Sequence, residues 1–253
     1  LVEVDVSDPA RPAVAAAIAA GDDRYFTHVA ARGSTLGVLV ERVDERLELE
    51  LLDVATRGAP QRRALVDLGA GWGQALAMAG GYAFVGSTHR DDAVPPVYDW
   101  HVQVLDVGDL EDPRLVADLL LPGTWSADAG DPAMALLDGG LLQGNYHGVT
   151  VADLTDLAHP RVAGQLQSPV TIYGNAVAAA GGRGYLAFRS AHVGDLDNLA
   201  VLDLSDPARP TTLSRRAVRD TPWCLGLSAS HLFGGSAGGV QMLAVSGSPA
   251  LAP

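Results

Sequence analysis

LAVLDLSDPARPTTLS, residues 199–214, is an apolar run closed by Asp203, a turn rich in Asp and Pro, and the start of a second apolar run. The chain writes this phrase six times. It reads LVEVDVSDPARPAVAA from Leu1, LELLDVATRGAPQRRALV from Leu49 and VQVLDVGDLEDPRLVADL from Val102. VTVADLTDLAHPRVAGQL follows from Val149, and a worn copy, VQMLAVSGSPALAP, from Val240. The residues closing the first strand of each copy are Asp5, Asp53, Asp106, Asp153, Asp203 and Ala244, so successive copies are 48, 53, 47, 50 and 41 residues apart. A period near 50 with strand-like content predicts stacked β units.

A second pattern recurs between these corners. WGQALAMAGGYAFVGSTH from Trp72, YGNAVAAAGGRGYLAFRSAH from Tyr173 and PAMALLDGGLLQGNYHG from Pro132 share one plan with DRYFTHVAARGSTLGVLVER from Asp23 and PWCLGLSASHLFGGSAGG from Pro222. Each is an apolar strand, a tight turn with Gly at most copies, and a second apolar strand, which is hairpin chemistry. One period is therefore hairpin, loop, apolar strand, Asp-Pro corner, apolar strand: four antiparallel strands, the blade of a β-propeller. The expected fold is all-β, a single propeller domain over residues 1–253 with corners near 5–12, 53–60, 106–113, 153–160, 203–210 and 244–249. Six blades are expected, with five as the alternative count. The copy at Leu1 has no hairpin before it. Either about 25 upstream residues complete its blade, making the N-terminal blade incomplete here and the chain part of a longer one, or Ala13–Ala20 closes the final blade.

LVEVDVSDPARP, LAVLDLSDPARP and VQVLDVGDLEDP resemble the LVIVD-repeat proteins, a family named for that strand and its D-x-S-x-P corner. The hairpin strand Gly81–Val85 resembles the G-Y-A-F-V strand that precedes it in that family. The copies at Leu49 and Val240 depart from the pattern: the first reads as carrying a Thr-Arg-Gly-Ala insertion before its Pro, and the second lacks its Asp. The resemblance implies a bacterial or archaeal propeller, usually exported or surface-attached (extracellular, periplasmic or on the cell surface), with no assigned enzymatic activity. It carries over no catalytic residues.

Composition narrows the function. The chain has 253 residues, 29 Gly and 15 Pro, and its 17 basic residues are all Arg against 30 acids, giving a net charge of −13. That balance argues against nucleic-acid binding, which needs clustered cations. Ten of the acids, among them Asp5, Asp8, Asp109 and Asp206, fall in the corners, where a short carboxylate can accept backbone N–H bonds across the turn. The single Cys224 excludes an intrachain disulfide, and its apolar setting predicts a buried thiol. No run approaches the ~18 apolar residues of a membrane span.

Several motifs invite a sharper reading. ALVDLGAGWGQALAMAGG from Ala64 resembles the glycine loop of S-adenosylmethionine-dependent methyltransferases, with Asp91 and Asp92 where a ribose-binding acid would follow. Phase argues against it: Ala64–Leu68 occupies the fourth-strand slot of Val116–Leu120 and Val162–Leu166. His89, His147 and His192 each follow a second strand, on the side where Trp72, Tyr173 and Trp223 enter their blades. His101, Asp91, Asp92, Asp99, Asp195 and Asp197 share these loops. Equivalent positions of different blades point apart, so these three His are not expected to share one metal. GDLDN at 194–198 and DAGD at 128–131 lack the spacing of a calcium loop. Ser228 in GLSAS lacks the glycine that would close a nucleophile elbow.

The sequence thus predicts a non-enzymatic binding or scaffold module without cofactor or metal. Its candidate ligand face is formed by Trp72, His89, His147, Tyr173, His192 and Trp223. Trp and Tyr offer flat apolar area with a polar edge, and His adds hydrogen-bonding capacity. The partner classes are a protein, a glycan or a small polar ligand. The rival from another class is a propeller hydrolase or lyase with its site at the mouth of a central channel.

Overall fold

The computed structural model describes residues 1–90, 98–122, 133–145, 148–168, 172–190 and 197–245, and every regular element among them is a β-strand. Two compact units divide the chain: residues 1–90 with 101–118, and residues 91–100 with 119–253. The first contains a ribbon of β1 (Val2–Asp5) and β2 (Ala13–Ala17), then the sheet β3 (Arg24–Arg32), β4 (Thr35–Arg42), β5 (Arg46–Asp53) and β6 (Gln61–Ala70). It also holds most of the next sheet, β7 (Trp72–Ala79), β8 (Tyr82–Arg90), β9 (Tyr98–Asp106) and β10 (Arg114–Leu121). The second unit contains β11 (Met134–Leu137), β12 (Gly140–Asn145), β13 (Gly148–Asp153) and β14 (Arg161–Gln167). There follow β15 (Ile172–Ala180), β16 (Arg183–Ser190), β17 (Leu199–Asp203) and β18 (Thr211–Arg216), and a three-stranded sheet, β19 (Cys224–Leu227), β20 (His231–Ser236) and β21 (Gly239–Ala244).

Each complete sheet is hydrogen-bonded in sequence order, and every pairing described in detail is antiparallel. These are the four-stranded blades of a β-propeller, five of them when the three-stranded sheet is included. Ala13–Ala17 pairs with β1, and among the described residues neither strand is hydrogen-bonded into the three-stranded sheet β19–β21, contrary to the alternative in which Ala13–Ala20 closes the final blade. The Ala64–Leu68 run lies inside β6, and of the glycines after it Gly69 belongs to β6, Gly71 joins β6 to β7 and Gly73 belongs to β7. No helix begins there, and none among the described residues is long and apolar enough to cross a membrane.

The repeat extends to irregularities invisible as sequence. In the third-to-fourth strand pairs the register slips one residue before the closing Asp, at Val4, Leu52, Ala152 and Leu202. In the first-to-second pairs it slips between Phe26 and His28, Gly73 and Ala75, and Gly174 and Ala176. The extra residues there are Thr27, Gln74 and Asn175. A bulge sharpens local strand twist, and here it recurs at one phase of the repeat.

Packing follows the alternation of β5. Leu47, Leu49 and Leu51 point to one face and, with Leu39, meet Ala83, Val85, Leu105 and Val107 of the next sheet. All four leucines are fully buried, each contributing about 1.5–3 kcal/mol. The opposite face places Val38, Val40 and Leu52 against Leu1 and Ile18. Glu48 and Glu50 are buried too: Arg24 Nη2 donates to Glu48 Oε2 at 2.6 Å, and Arg62 Nε donates to Glu50 Oε1 at 2.7 Å. A buried carboxylate requires such pairing. In the second unit Val177, Leu186 and Leu202 meet Leu142 and Val151, and Tyr185 and Val201 meet Leu225 and Leu243.

The corners are built as the Asp-Pro phrase predicts. The N–H two residues on donates to the Oδ1 of the first Asp at Ser7–Asp5, Ala55–Asp53, Gly108–Asp106, Thr155–Asp153 and Ser205–Asp203, all at 2.9–3.0 Å. The second Asp repeats the turn at Ala10–Asp8, Glu111–Asp109, Ala158–Asp156 and Ala208–Asp206. The residue after the first Asp then donates its N–H to the hairpin of the same sheet: Val54 to Ser34, Val107 to Gly81, Leu154 to Gly139 and Leu204 to Gly182.

The copy at Leu49 corrects the sequence reading. Asp53 to Pro60 spans the same seven steps as Asp106 to Pro113, so Thr56–Ala59 replaces corner residues and inserts none. Ala59 N–H still donates to Thr56 C=O, as Asp112 does to Asp109. Thr56 lacks the second carboxylate, and the Gly58 N–H that it would bind is taken by Glu3 of β1 at 3.0 Å. Cys224 is exposed, contrary to the buried thiol expected. Alternation along β19 sends Leu225 and Leu227 toward β15–β18 and Cys224 and Gly226 to the outer face.

Two outcomes are expected. Thr155 and Arg161 hold the Asp153 carboxyl down at about 2, against about 3.9 for a free one. Its stabilising contribution is therefore complete above pH ~4 and disappears as pH falls toward ~2. Thermal melts across this range should show D153A lower than wild type by about 1–2 kcal/mol at pH 7, with the gap closing in acid. Second, Glu3→Ala should lower stability by about 0.5–1 kcal/mol, and Thr56→Asp should restore it, which a double-mutant cycle of melts reads directly.

Candidate functional site

The corners and hairpin turns occupy one edge of each sheet. The opposite edge, where second strands end, third strands begin and first strands enter, carries the residues expected to bind. Trp72 opens β7 and pairs with Thr88, placing its backbone one residue from His89 on the neighbouring strand. Trp223 precedes β19, donates its N–H to Gly235 C=O at 2.8 Å and is 66% exposed. Tyr173 lies in the backbone of β15, opposite Arg189. His147 and His192 lie outside the described residues, as do Asp91, Asp92, Asp131 and Asp195. Trp72 and His89 lie on adjacent strands of one blade, β7 and β8.

A better-defined cluster joins His89 to His101, Asp118 and Ser87. His101, on β9, meets His89, on β8, ring to ring, with centroids 4.6 Å apart and planes inclined by 63°. His101 Nδ1 is 2.8 Å from Asp118 Oδ1 on β10, and His89 Nε2 is 3.1 Å from the hydroxyl of fully buried Ser87. Three adjacent strands thus supply an Asp–His pair, a second imidazole and a hydroxyl. The first strand enters beside them: a Cβ at Gly71 would stand 2.6 Å from Thr88 C=O and 3.6 Å from His89 Cε1. Glycine keeps that approach open.

Repeat phase explains why these two imidazoles meet. His101 stands five residues before Asp106, as Glu48 does before Asp53, Gly148 before Asp153 and Asn198 before Asp203. His89 stands eight residues after Gly81, as Arg42 does after Ser34 and Ser190 after Gly182. In β4–β5 these slots hold opposite charges, with Arg42 Nη1 3.8 Å from Glu48 Oε1. Immediately before β17, Asn198 accepts from Val218 N–H at 2.6 Å and returns a bond to its C=O at 3.0 Å. Only alignment of strands by phase could have found the pairing, because the two His are 12 residues apart and Asp118 lies a further strand away.

Other histidines have structural partners: His159 Nδ1 lies 3.0 Å from Asp156 in its corner, and His231 Nδ1 lies 2.8 Å from Ser230 Oγ. Among the described residues no three His, Cys, Asp or Glu side chains are arranged to hold a metal ion. A groove of about 770 Å³ opens on the corner edge of the second unit, between Asp153, Arg161, Ala179 and Ser205. A smaller one of about 270 Å³ runs past Gly148, Ser168, Phe188 and Arg215, with the guanidinium 5.5 Å from the Phe188 ring centre.

Residues 191–216 match the LVIVD repeat, so the chain carries at least one unit of that family, over the corner at Asp203. No curated protein matches the chain. Among solved structures it is similar to BamB from Moraxella catarrhalis, at 12% identity over 86% of this chain and 61% of that one, with a TM-score of 0.48. It is also similar to the AfRom2 CNH domain, at 11% identity over 98% of this chain and 74% of that one, with a TM-score of 0.50. At such identities the likeness concerns the fold alone.

The methyltransferase-like glycines provide a test of this local geometry. Gly69 has φ +95° and open space at its Cβ, whereas Gly71 has φ +151° and a carbonyl against it. Gly69→Ala should cost about 1–2 kcal/mol through backbone strain. Gly71→Ala should cost more, because it adds a steric contact, and paired melts of the two variants decide the order.

Proposed function

We propose that this chain is a non-enzymatic propeller binding module of an exported or cell-surface protein, and that it takes its ligand on the loop edge of its blades. One contrast supports the reading. The corner edge repeats the same self-satisfied hydrogen bonds from blade to blade, while equivalent slots on the loop edge change from Arg42 and Glu48 to His89 and His101 to Ser190 and Asn198. Positions free of the fold's constraints are where specificity resides. Trp72 and Trp223 bring aromatic area to this edge. The exported location rests on the resemblance of the repeat at residues 191–216, and protease accessibility on intact cells tests it.

One observation favours a second reading. Asp118 orients His101 as a carboxylate orients a general base, which suits a hydrolase or lyase. Turnover of chromogenic esters or glycosides that is lost in His101→Gln would select that reading.

The binding reading is tested by thermal-shift screening against soluble oligosaccharides, small polyols and dicarboxylates. A compound that raises the melting temperature should lose its effect in Trp72→Ala or Trp223→Ala and keep it in Asp203→Asn on the opposite edge. The reverse pattern, with the corner variant alone abolishing the shift, would overturn the assignment.

A further inference from the structure

We propose that the groove between β14 and β18 binds a small organic monocarboxylate with an apolar tail, and that the guanidinium of Arg215 holds its carboxylate. The inference deepens the reading of the loop edge as the binding edge and rests on it. Gly148 opens β13, Leu166 and Gln167 close β14, and Arg215 stands one residue before the end of β18, so the groove begins on that edge. Its volume of about 270 Å³ lies just below the usual range of about 300–1,000 Å³ for small-molecule sites, which limits the ligand to a small one.

The guanidinium carbon of Arg215 lies 5.5 Å from the centre of the Phe188 ring, a cation–π contact. Among the described residues its side chain has no hydrogen-bond acceptor and no carboxylate partner. Other arginines differ: Arg24, Arg42, Arg62, Arg63 and Arg161 each lie 2.6–3.0 Å from an Asp or Glu oxygen. Repeat phase explains the contrast. Arg215 stands twelve residues after Asp203, as Asp118 does after Asp106 and Gln165 after Asp153. Those two have partners in their own blades, Asp118 at His101 and Gln165 at the Thr150 hydroxyl. Opposite Arg215 stands Ala200, whose side chain offers no acceptor. An aromatic ring therefore holds the cation in place while its planar fork of N–H donors suits a carboxylate. Val149, Leu166, Leu186 and Leu202 line the groove beside it, so the ligand needs apolar surface next to its charge. The net charge of −13 opposes each further negative charge on a ligand, which favours one carboxylate over a phosphate.

The test is NMR titration of the isotope-labelled protein with sodium hexanoate at neutral pH, with hexanamide and inorganic phosphate as controls. Hexanoate should saturably shift the Arg215 Nε–H resonance and the amides of Val149, Gln167 and Thr212, whereas hexanamide and phosphate should leave them in place. Arg215→Gln should weaken the binding about 10–100-fold. Arg215→Lys should weaken it less, because the charge remains and only the fork is lost. Arg209→Gln, in a corner, should leave the affinity unchanged. The wild-type mapping needs no variant, so a variant that fails to fold does not blunt the test. No saturable shift with hexanoate, an equal shift with hexanamide or phosphate, or full affinity in Arg215→Gln overturns the proposal. Another ligand mapped to Trp72 or Trp223, with hexanoate leaving Arg215 unmoved, would sink this groove and leave the loop-edge reading standing. Hexanoate shifts confined to corner amides such as Thr155 and Ser205 would count against both.

Discussion

The corner carboxylate is the constraint on which the rest depends. One Asp oxygen receives the N–H two residues ahead, and the intervening residue donates its own N–H to the hairpin carbonyl of the same sheet. A single short phrase therefore turns the chain from third to fourth strand and ties that turn to the loop joining the first two. The bond costs little to organise, because the acceptor is local and the Pro at the end of the phrase limits the conformations to be lost. Where the phrase decays, the same donor finds another acceptor. Glu3 serves Gly58 in place of a missing Asp, while in the last copy Val245 keeps the ordinary bond to its hairpin carbonyl, at Ser230, although Ala244 has no carboxylate. The geometry is kept while the chemistry that produces it changes.

Fixing one edge frees the other. Both faces of β4 and β5 are committed to packing, Leu39, Leu47, Leu49 and Leu51 on one and Val38, Val40 and Leu52 on the other, and the corner edge is committed to its own hydrogen bonds. What remains is the edge where second strands meet third strands. There side chains are held by antiparallel register at defined spacing and differ from blade to blade. The Arg42–Glu48 contact and the His89–His101 contact are two occupants of one structural address.

Most of the architecture was legible in the sequence, because the Asp-Pro corners and Gly-Gly turns are local chemistry written at a fixed period. The hairpins at Asp23, Trp72, Pro132, Tyr173 and Pro222 all form. Bulges were not legible, since Thr27, Gln74 and Asn175 differ in residue type and only their phase is shared. Cys224 was misread from its apolar neighbours, whose side chains point to the opposite face of β19. The candidate site was half legible. Trp72 and His89 could be placed on one edge by counting strands, but His101 and Asp118 join them through cross-strand register, which a linear reading carries only if the blades are laid over one another.

The central claim is that the repeated carboxylate turn and its bond to the hairpin hold each blade together. Residue-resolved amide hydrogen exchange tests it most directly. The account predicts slow exchange at Val107, Leu154 and Leu204, which donate to hairpin carbonyls, and at Gly108, Thr155 and Ser205, which donate to corner carboxylates, although these corners lie at the exposed edge of their sheets. Exchange at these six amides as fast as in an unstructured peptide would contradict it.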